Sequence, residues 1–302
     1  MSQPSGHFVP PERDGVGPSC VGLPAGPWVT ILDYLTHRFP AIEREVWIQR
    51  MNQGEVMNEH GLTLRPTNPY QSHVRVYYYR SVYAEPRIPF EEVILFQDDQ
   101  LVVVDKPHFL PVVPSGGYLQ ETVLVRLKRR LGLDTLVPIH RIDRDTAGLV
   151  MFSVQPQTRA HYNALFSQRT VSKVYEAIAP WRAQLQFPMT RQSRIVEAGH
   201  FMLQKEIDGT VNAVTELDVL EVRGALARYA LKPVTGKRHQ LRVHMAALGL
   251  PIEGDGLYPT LTPEGQIDYE RPLQLLAKSI SFIDPVTGEK RRFKSQRQLN
   301  WG

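Results

Sequence analysis

A single cysteine, Cys20, stands in a chain of 302 residues. No disulfide can close within the chain, and a metal site built on several thiolates is excluded. The Gly/Pro-rich surroundings of Cys20 mark it as an incidental thiol. No run of about 18 apolar residues occurs, so no membrane-spanning helix and no membrane partner are expected. The first residues carry Pro, Glu, Arg and Asp and lack an apolar signal core, which makes a cytoplasmic location the expectation. Short internal repeats and low-complexity tracts are missing too, so the chain reads as ordinary domains. A strong charge excess is also lacking. The formal net charge of +4 leans only slightly toward a polyanionic partner.

What is present suffices for one large core and a small appended domain: 42% of the residues are hydrophobic and 22% charged. Residues 1–27 are rich in Pro, Gly and Ser and read as a flexible arm. From Trp28 the pattern changes. In TILDYLTHRFP, Ile31, Leu35 and Phe39 fall at helical spacing and Pro40 ends the run. EREVWIQRMNQGEV reads as a second helix and VRVYYYRSVY as a strand. This order, over residues 28–84, resembles the small α-L RNA-binding module of ribosomal proteins and some tRNA synthetases. Between Trp28 and Pro86 six arginines face six acidic residues, so charge does not separate an RNA-binding role from a packing role.

AEPRIPFEE is a proline-bearing linker, and residues 85–302 form the larger domain. Its expected strands are VILFQD, QLVVVDKP, GLVMFSV, KVYEAIAP, AVTELDVLEV, ARYALKPV and SISFID. Helices are expected at QETVLVRLKRRLG, TRAHYNALFSQ and HQLRVHMAALG. Strands with a few inserted helices predict an α+β domain on a mixed, mainly antiparallel sheet.

Three clusters carry candidate chemistry. HRIDRDTAGLVMFS, from His140 to Ser153, sets two arginines, two aspartates and a histidine just ahead of an apolar strand. A loop at a strand mouth can present a carboxylate to a substrate, and the residues alone leave Asp143 and Asp145 both open. In KPVTGKRHQLRVHMAALGLPIEGDGLY, Leu241, Met245 and Leu248 form a helical core stripe, and Arg238 and Arg242 form an i, i+4 pair beside it. Arginines so placed are ordinarily surface groups that snorkel. His239 and His244 are five apart, a poor spacing for one metal, so no metal site is expected. In SKVYEAIAP, alternation puts Lys173, Tyr175 and Ala177 on one face of a strand.

Taken together, VILFQDDQLVVVDKPHFLPVVPSG, HRIDRDTAGLV, SKVYEAIAP and TGKRHQLRVHMAALGLPIEGDGLY resemble, in order, the motifs of the RluA-type RNA pseudouridine synthases. The likeness spans roughly Phe90 to Phe293. Ile142 and Ala147 replace the commoner Leu and Ser, and Leu275, Leu276 and Ala277 stand where the family often has Leu-His-Ala. The resemblance implies Asp143 as the catalytic carboxylate, Tyr175 against the target base, Arg242 as the basic partner of the aspartate and Arg141 against the RNA. Arg129, Arg144, Lys237 and Arg238 are further candidate RNA contacts.

Pseudouridine formation breaks the bond between a uracil nitrogen and the ribose, turns the base and rejoins it through carbon. The nucleotide must first leave the stack, at a cost of a few kcal/mol, and stacking on an aromatic side chain returns roughly 1–3 kcal/mol. A nearby cation favours the ionised form of a carboxylate. No redox change or group transfer occurs, so no cofactor is implied. The expected partner is a ribosomal or transfer RNA, and the protein is expected to act as a monomer. Two alternatives stand beside this reading. One is a non-catalytic RNA-binding or ribosome assembly factor that keeps the fold. The other is a glycosidase using Asp143 and Asp145 as a carboxylate pair.

Overall fold

The computed structural model describes residues 8, 10–82, 85–199, 203–262 and 268–301. Two units are distinguished: the chain up to Glu85 together with Ser115–Gln120, and Pro86–Pro114 together with Glu121 onward.

The first unit begins with strand β1 (Ser19–Gly22), followed by helices α1 (Ile31–Arg38) and α2 (Arg44–Asn52) and strands β2 (Val56–Asn58) and β3 (Arg75–Tyr78). Thr30 starts α1 because its hydroxyl accepts the Asp33 N–H (3.1 Å) while the Asp33 carboxylate accepts the Thr30 N–H (3.0 Å). Trp47, fully buried, packs edge-on to Tyr78 at 5.1 Å and against Phe39 at 5.6 Å, so the aromatic residues of the helices and of β3 make one core. The sheet order is β1-β3-β2.

Two sequence expectations are corrected here. Residues 1–27 are not wholly a flexible arm: Ser19–Gly22 pairs antiparallel with β3, and Leu23 is buried in the unit's core. Its composition suggested a loop, but the otherwise bare edge of β3 supplies the hydrogen bonds that a Gly/Pro-rich segment cannot make for itself. Nor is the larger domain continuous from residue 85. Ser115–Gln120 belongs with the first unit, where the Leu119 and Gln120 N–H groups donate to Glu85 at 2.7 and 2.9 Å. The strand expected over VRVYYYRSVY is short, ending at Tyr78; its last residue, Tyr83, lies outside the described residues.

The second unit runs β4 (Val93–Gln97), β5 (Leu101–Lys106), α3 (Val123–Leu131), β6 (Val137–Pro138), β7 (Ala147–Ser153), α4 (Arg159–Ser167) and β8 (Ser172–Pro180). It continues with β9 (Met189–Glu197), β10 (Gln204–Ile207), β11 (Ala213–Arg223), β12 (Leu226–Pro233), α5 (Gln240–Ala247), β13 (Leu275–Ile283) and β14 (Lys290–Lys294). One mixed sheet results, in the order β10-β9-β11-β12-β8-β13-β7-β5-β4, with β14 on β13 and β6 on β7. The β7–β13 pairing is parallel and the rest are antiparallel. This is the α+β architecture expected. Strands β9 and β10 were not expected, because β9 (MTRQSRIVE) is mostly polar, without the apolar alternation of a half-buried strand, and buries only Ile195.

β5 and β7 are buried along their whole length, the signature of central strands covered on both faces. Leu241 and Met245 of α5 pack on Ala177, Leu217, Tyr229 and Leu231. Tyr162 and Leu165 of α4 pack on Leu101, Leu149 and Met151. No helix among the described residues is long and apolar enough to cross a membrane.

The junction of β7 and β13 requires a glycine. Gly148 has φ +108°, and a Cβ there would lie 2.3 Å from the carbonyl oxygen of Ala277. Gly148→Ala is therefore expected to destabilise the protein by about 3 kcal/mol. A fall in the urea unfolding midpoint, compared with the same change at exposed Gly236, checks this.

Candidate active site

The loop between β6 and β7 is held from one side by the end of β5. Lys106, fully buried, donates through Nζ to the carbonyls of Pro107 and Arg144, both at 2.8 Å. His108 donates from Nδ1 to the carbonyl of Asp145 at 2.7 Å. At the start of the loop, His140 Nε2 accepts the Met151 N–H (3.2 Å) and its ring stacks on Phe166 at 4.6 Å. The Thr146 N–H donates to the Asp143 carbonyl (3.2 Å). These bonds place Asp143 at the mouth of β7, with 29% of its side chain exposed.

α5 supplies the opposing charge. Arg242 is 2% exposed and cannot be the surface arginine that its spacing suggested. Its Nη1 lies 3.3 Å from Asp143 Oδ2. Its Nε and Nη2 donate to Asp255 Oδ2 and Oδ1 at 2.9 and 2.6 Å. Asp255 Oδ1 in turn accepts the N–H groups of Leu257 (2.8 Å) and Tyr258 (3.1 Å). The guanidinium is thus gripped through two nitrogens, along one edge, by a buried carboxylate and presents its third nitrogen to Asp143. Burial alone would lower the Arg242 pKa; the bonds and charge of Asp255, with Asp143, raise it above the ordinary arginine value.

Tyr175 lies on β8, opposite Ala277 of β13, which itself pairs with Gly148 at the start of β7. The register thus brings Tyr175 to the same end of the sheet as the Asp143 loop. Burial, and secondarily the charge of Asp143, raises the Tyr175 pKa, so its hydroxyl stays neutral. His239 precedes α5, with Nε2 3.8 Å from Asp143 Oδ1. Among the described residues no group of three His, Cys, Asp or Glu side chains could hold a metal ion.

The structure therefore brings Asp143, Arg242 and Tyr175 to one place. Asp145 is engaged by its neighbour Arg144. Although burial opposes ionisation, Asp145 is held below its ordinary pKa by Arg144, whose Nε lies 2.8 Å from Oδ1, and then by Arg242 and Lys106. Arg141 and Arg144 are exposed in the loop, Lys237 and Arg238 are exposed ahead of α5, and Arg129 is exposed on α3. Arg238 lies before the helix, so its expected i, i+4 pairing with Arg242 does not form. The neighbours of Arg129 on α3 are largely occupied within the protein. Arg126 bonds Glu121, Glu92 and two backbone carbonyls, Lys128 is buried, and Arg130 bonds Glu92 at 2.5 Å. Near the C-terminus, Arg291 lies 3.5 Å from both Asp98 and Asp284, and Arg297 lies 3.5 Å from Asp105. Lys290, Arg292 and Lys294 remain exposed on β14. Asp255 was missed from sequence. Its signal was the segment GDGLY, quoted within a motif but given no role.

The fold is that of the pseudouridylate synthases: human RNA Pseudouridylate Synthase Domain Containing 1 matches with a TM-score of 0.57 at 21% identity, over 72% of this chain and 86% of that one. Residues 100–247 match the family described as RNA pseudouridylate synthase. An uncharacterised RNA pseudouridine synthase of Synechocystis is 31% identical over 76% of this chain and 79% of its own length. The Dual-specificity RNA pseudouridine synthase RluA of Haemophilus influenzae is 32% identical over 71% of this chain and 96% of its own. The chain belongs to the RluA-type family of RNA pseudouridine synthases, enzymes that isomerise uridine in RNA.

The buried histidines give this site a pH signature. Burial lowers the His140 pKa from 6.5 to about 3, and that of His108 to about 4. In the unfolded chain both protonate near 6.5, so below that pH the unfolded state binds more protons and unfolding becomes easier. The histidine contribution to the unfolding free energy should hold above about pH 6.5 and fall as the pH drops toward 5. The His140→Gln variant, with one proton fewer to take up, should show a shallower fall in urea titrations across that range.

Proposed function

We propose that this protein converts uridine to pseudouridine at a specific position of a structured ribosomal or transfer RNA, acting on a flipped-out nucleotide with Asp143 as the reacting carboxylate. The observation that carries the reading is the half-exposed Asp143 carboxylate set against a buried, doubly gripped Arg242. A carboxylate at a strand mouth is accessible enough to meet an extruded nucleotide, and a guanidinium held bidentately through two nitrogens resists swinging away when the charge in the site changes. Tyr175, a neutral aromatic at the same end of the sheet, offers the face on which an unstacked base can rest. The pseudouridine synthase relatives support the reaction; the assignment of roles to these residues is our own.

Asp143→Asn keeps the shape of the side chain and removes the charge needed for a nucleophile or base. Turnover should fall by at least about a thousandfold while RNA affinity stays within about threefold, because affinity comes from phosphate and stacking contacts elsewhere. Asp145→Asn should keep substantial activity, and Arg242→Ala should be crippled. Single-turnover pseudouridine formation, read by carbodiimide labelling of the RNA, tests all three. Rapid isomerisation by Asp143→Asn would refute the assignment, and loss confined to Asp145→Asn would move the role to that carboxylate.

The exposed Arg141, Arg144, Arg129, Lys237 and Arg238 are proposed to meet phosphates, and the first unit to assist binding through its exposed Arg65 and Arg75. Affinity should then fall by more than about tenfold between about 50 and 200 mM salt. A double change, Lys237→Gln with Arg238→Gln, should flatten that slope, as should Arg65→Gln with Arg75→Gln. Filter binding at several salt concentrations measures it; an unaltered slope in the second pair would remove the first unit from the interface.

A further inference from the structure

The Asp143 carboxylate has two oxygens, and Arg242 reaches only Oδ2. Oδ1 faces His239 Nε2 at 3.8 Å. His239 has a left-handed backbone (φ 55°, ψ 16°) and makes no side-chain capping bond to α5. A non-glycine residue in that region is uncommon and signals an external constraint. Here the constraint is visible at the other ring nitrogen. Nδ1 lies 2.9 Å from the Tyr258 hydroxyl, and that hydroxyl accepts the backbone N–H of Gln204 at 2.8 Å. A hydroxyl carries one proton. Among the described residues His239 Nδ1 is the acceptor within reach of that proton; the arrangement that satisfies the hydroxyl both as acceptor from Gln204 and as donor makes Nδ1 the acceptor and leaves the hydrogen on Nε2.

Tyr258 is itself fixed by the main clamp, since its backbone N–H donates to the same Asp255 oxygen that meets Arg242 Nη2. Burial is the largest influence on the ring and favours its neutral form, with Arg242 and Arg238 acting in the same sense against Asp143 and Asp255. A neutral N–H orients a carboxylate without adding a second cation beside it.

We propose that His239 is a positioning residue for Asp143: its Nε2–H, set by the Tyr258–His239 hydrogen bond, holds the carboxylate's rotation from the Oδ1 side while Arg242 holds it from the Oδ2 side. This rests on the reading of Asp143 as the reacting carboxylate. The 3.8 Å separation is longer than a hydrogen bond, and substrate binding is expected to close it, as such contacts tighten in the reactive complex.

The test compares three full-length variants in single-turnover pseudouridine formation, with RNA affinity and thermal midpoint measured in parallel. His239→Asn tolerates the left-handed backbone but is too short to present a donor at Nε2. It should react about 10- to 100-fold more slowly at unchanged affinity and midpoint. His239→Gln, whose amide N–H extends about as far as Nε2, should recover to within about fivefold of the parent. Tyr258→Phe leaves His239 in place but frees its tautomer, and should lose about three- to tenfold in rate with affinity unchanged. A parental rate in His239→Asn, equal loss in the Asn and Gln variants, or a parental rate in Tyr258→Phe would each overturn the proposal. Asp143→Asn run alongside separates the two levels. If it is inactive while His239→Asn is fully active, only the positioning role falls; if it turns over, the role of Asp143 falls and this proposal with it.

Discussion

A guanidinium taken out of water must meet acceptors along its edges or its burial is strongly unfavourable. Arg242 meets this condition through Asp255, which grips Nε and Nη2 and is itself held by two backbone N–H groups. The pair is weak evidence for net stability, since buried ion pairs often only break even against apolar residues. Its consequence is orientation. With Nε and Nη2 committed to Asp255 the guanidinium plane is fixed, and the remaining Nη1 faces Asp143. The position of α5, the turn of the Asp255 segment and the mouth of β7 all bear on that one contact.

The second support comes from the end of β5. Lys106 and His108 reach across to the carbonyls of Arg144 and Asp145, so the loop that carries Asp143 is tied through its backbone and its side chains stay free for other work. Burial brings Lys106 down to about pKa 7 against the pull of Asp145 and Asp143. A lysine and a histidine close in space to the Asp143 and Asp145 loop could suggest acid–base chemistry. In the folded protein they are fasteners: Lys106 faces backbone oxygens, and His108 is a neutral donor to another.

Basic residues divide the same way. Arg126, Arg130, Arg291 and Arg297 are bound to Glu92, Glu121, Asp98, Asp284 or Asp105 and hold helix and strand ends together. Lys237 and Arg238, exposed just ahead of α5, lie beside the residue that faces Asp143. A count of charges therefore overstates the surface open to a polyanion, because carboxylates brought close by folding already occupy much of it.

Much of the site was legible in the chain. Short motifs carry their chemistry in contiguous residues, so HRID, SKVYEAIAP and QLRVH located Asp143, Tyr175 and Arg242, and hydrophobic alternation located the central strands. Less was legible where a residue's role depends on what arrives from elsewhere. The spacing of Arg238 and Arg242 suggested two exposed arginines, yet α5 begins at Gln240 and buries the second. β9 carries too few apolar residues to announce itself, and β1 is a strand only because β3 offers it an edge. The family, the α+β class and the candidate side chains Asp143, Tyr175 and Arg242 could be read from the chain, since these reside in local pattern. That Asp255 holds Arg242, and that Lys106 and His108 tie the loop, emerges only in the folded chain. Those roles are set by directional bonds between segments far apart in the chain, and no local periodicity encodes such distances.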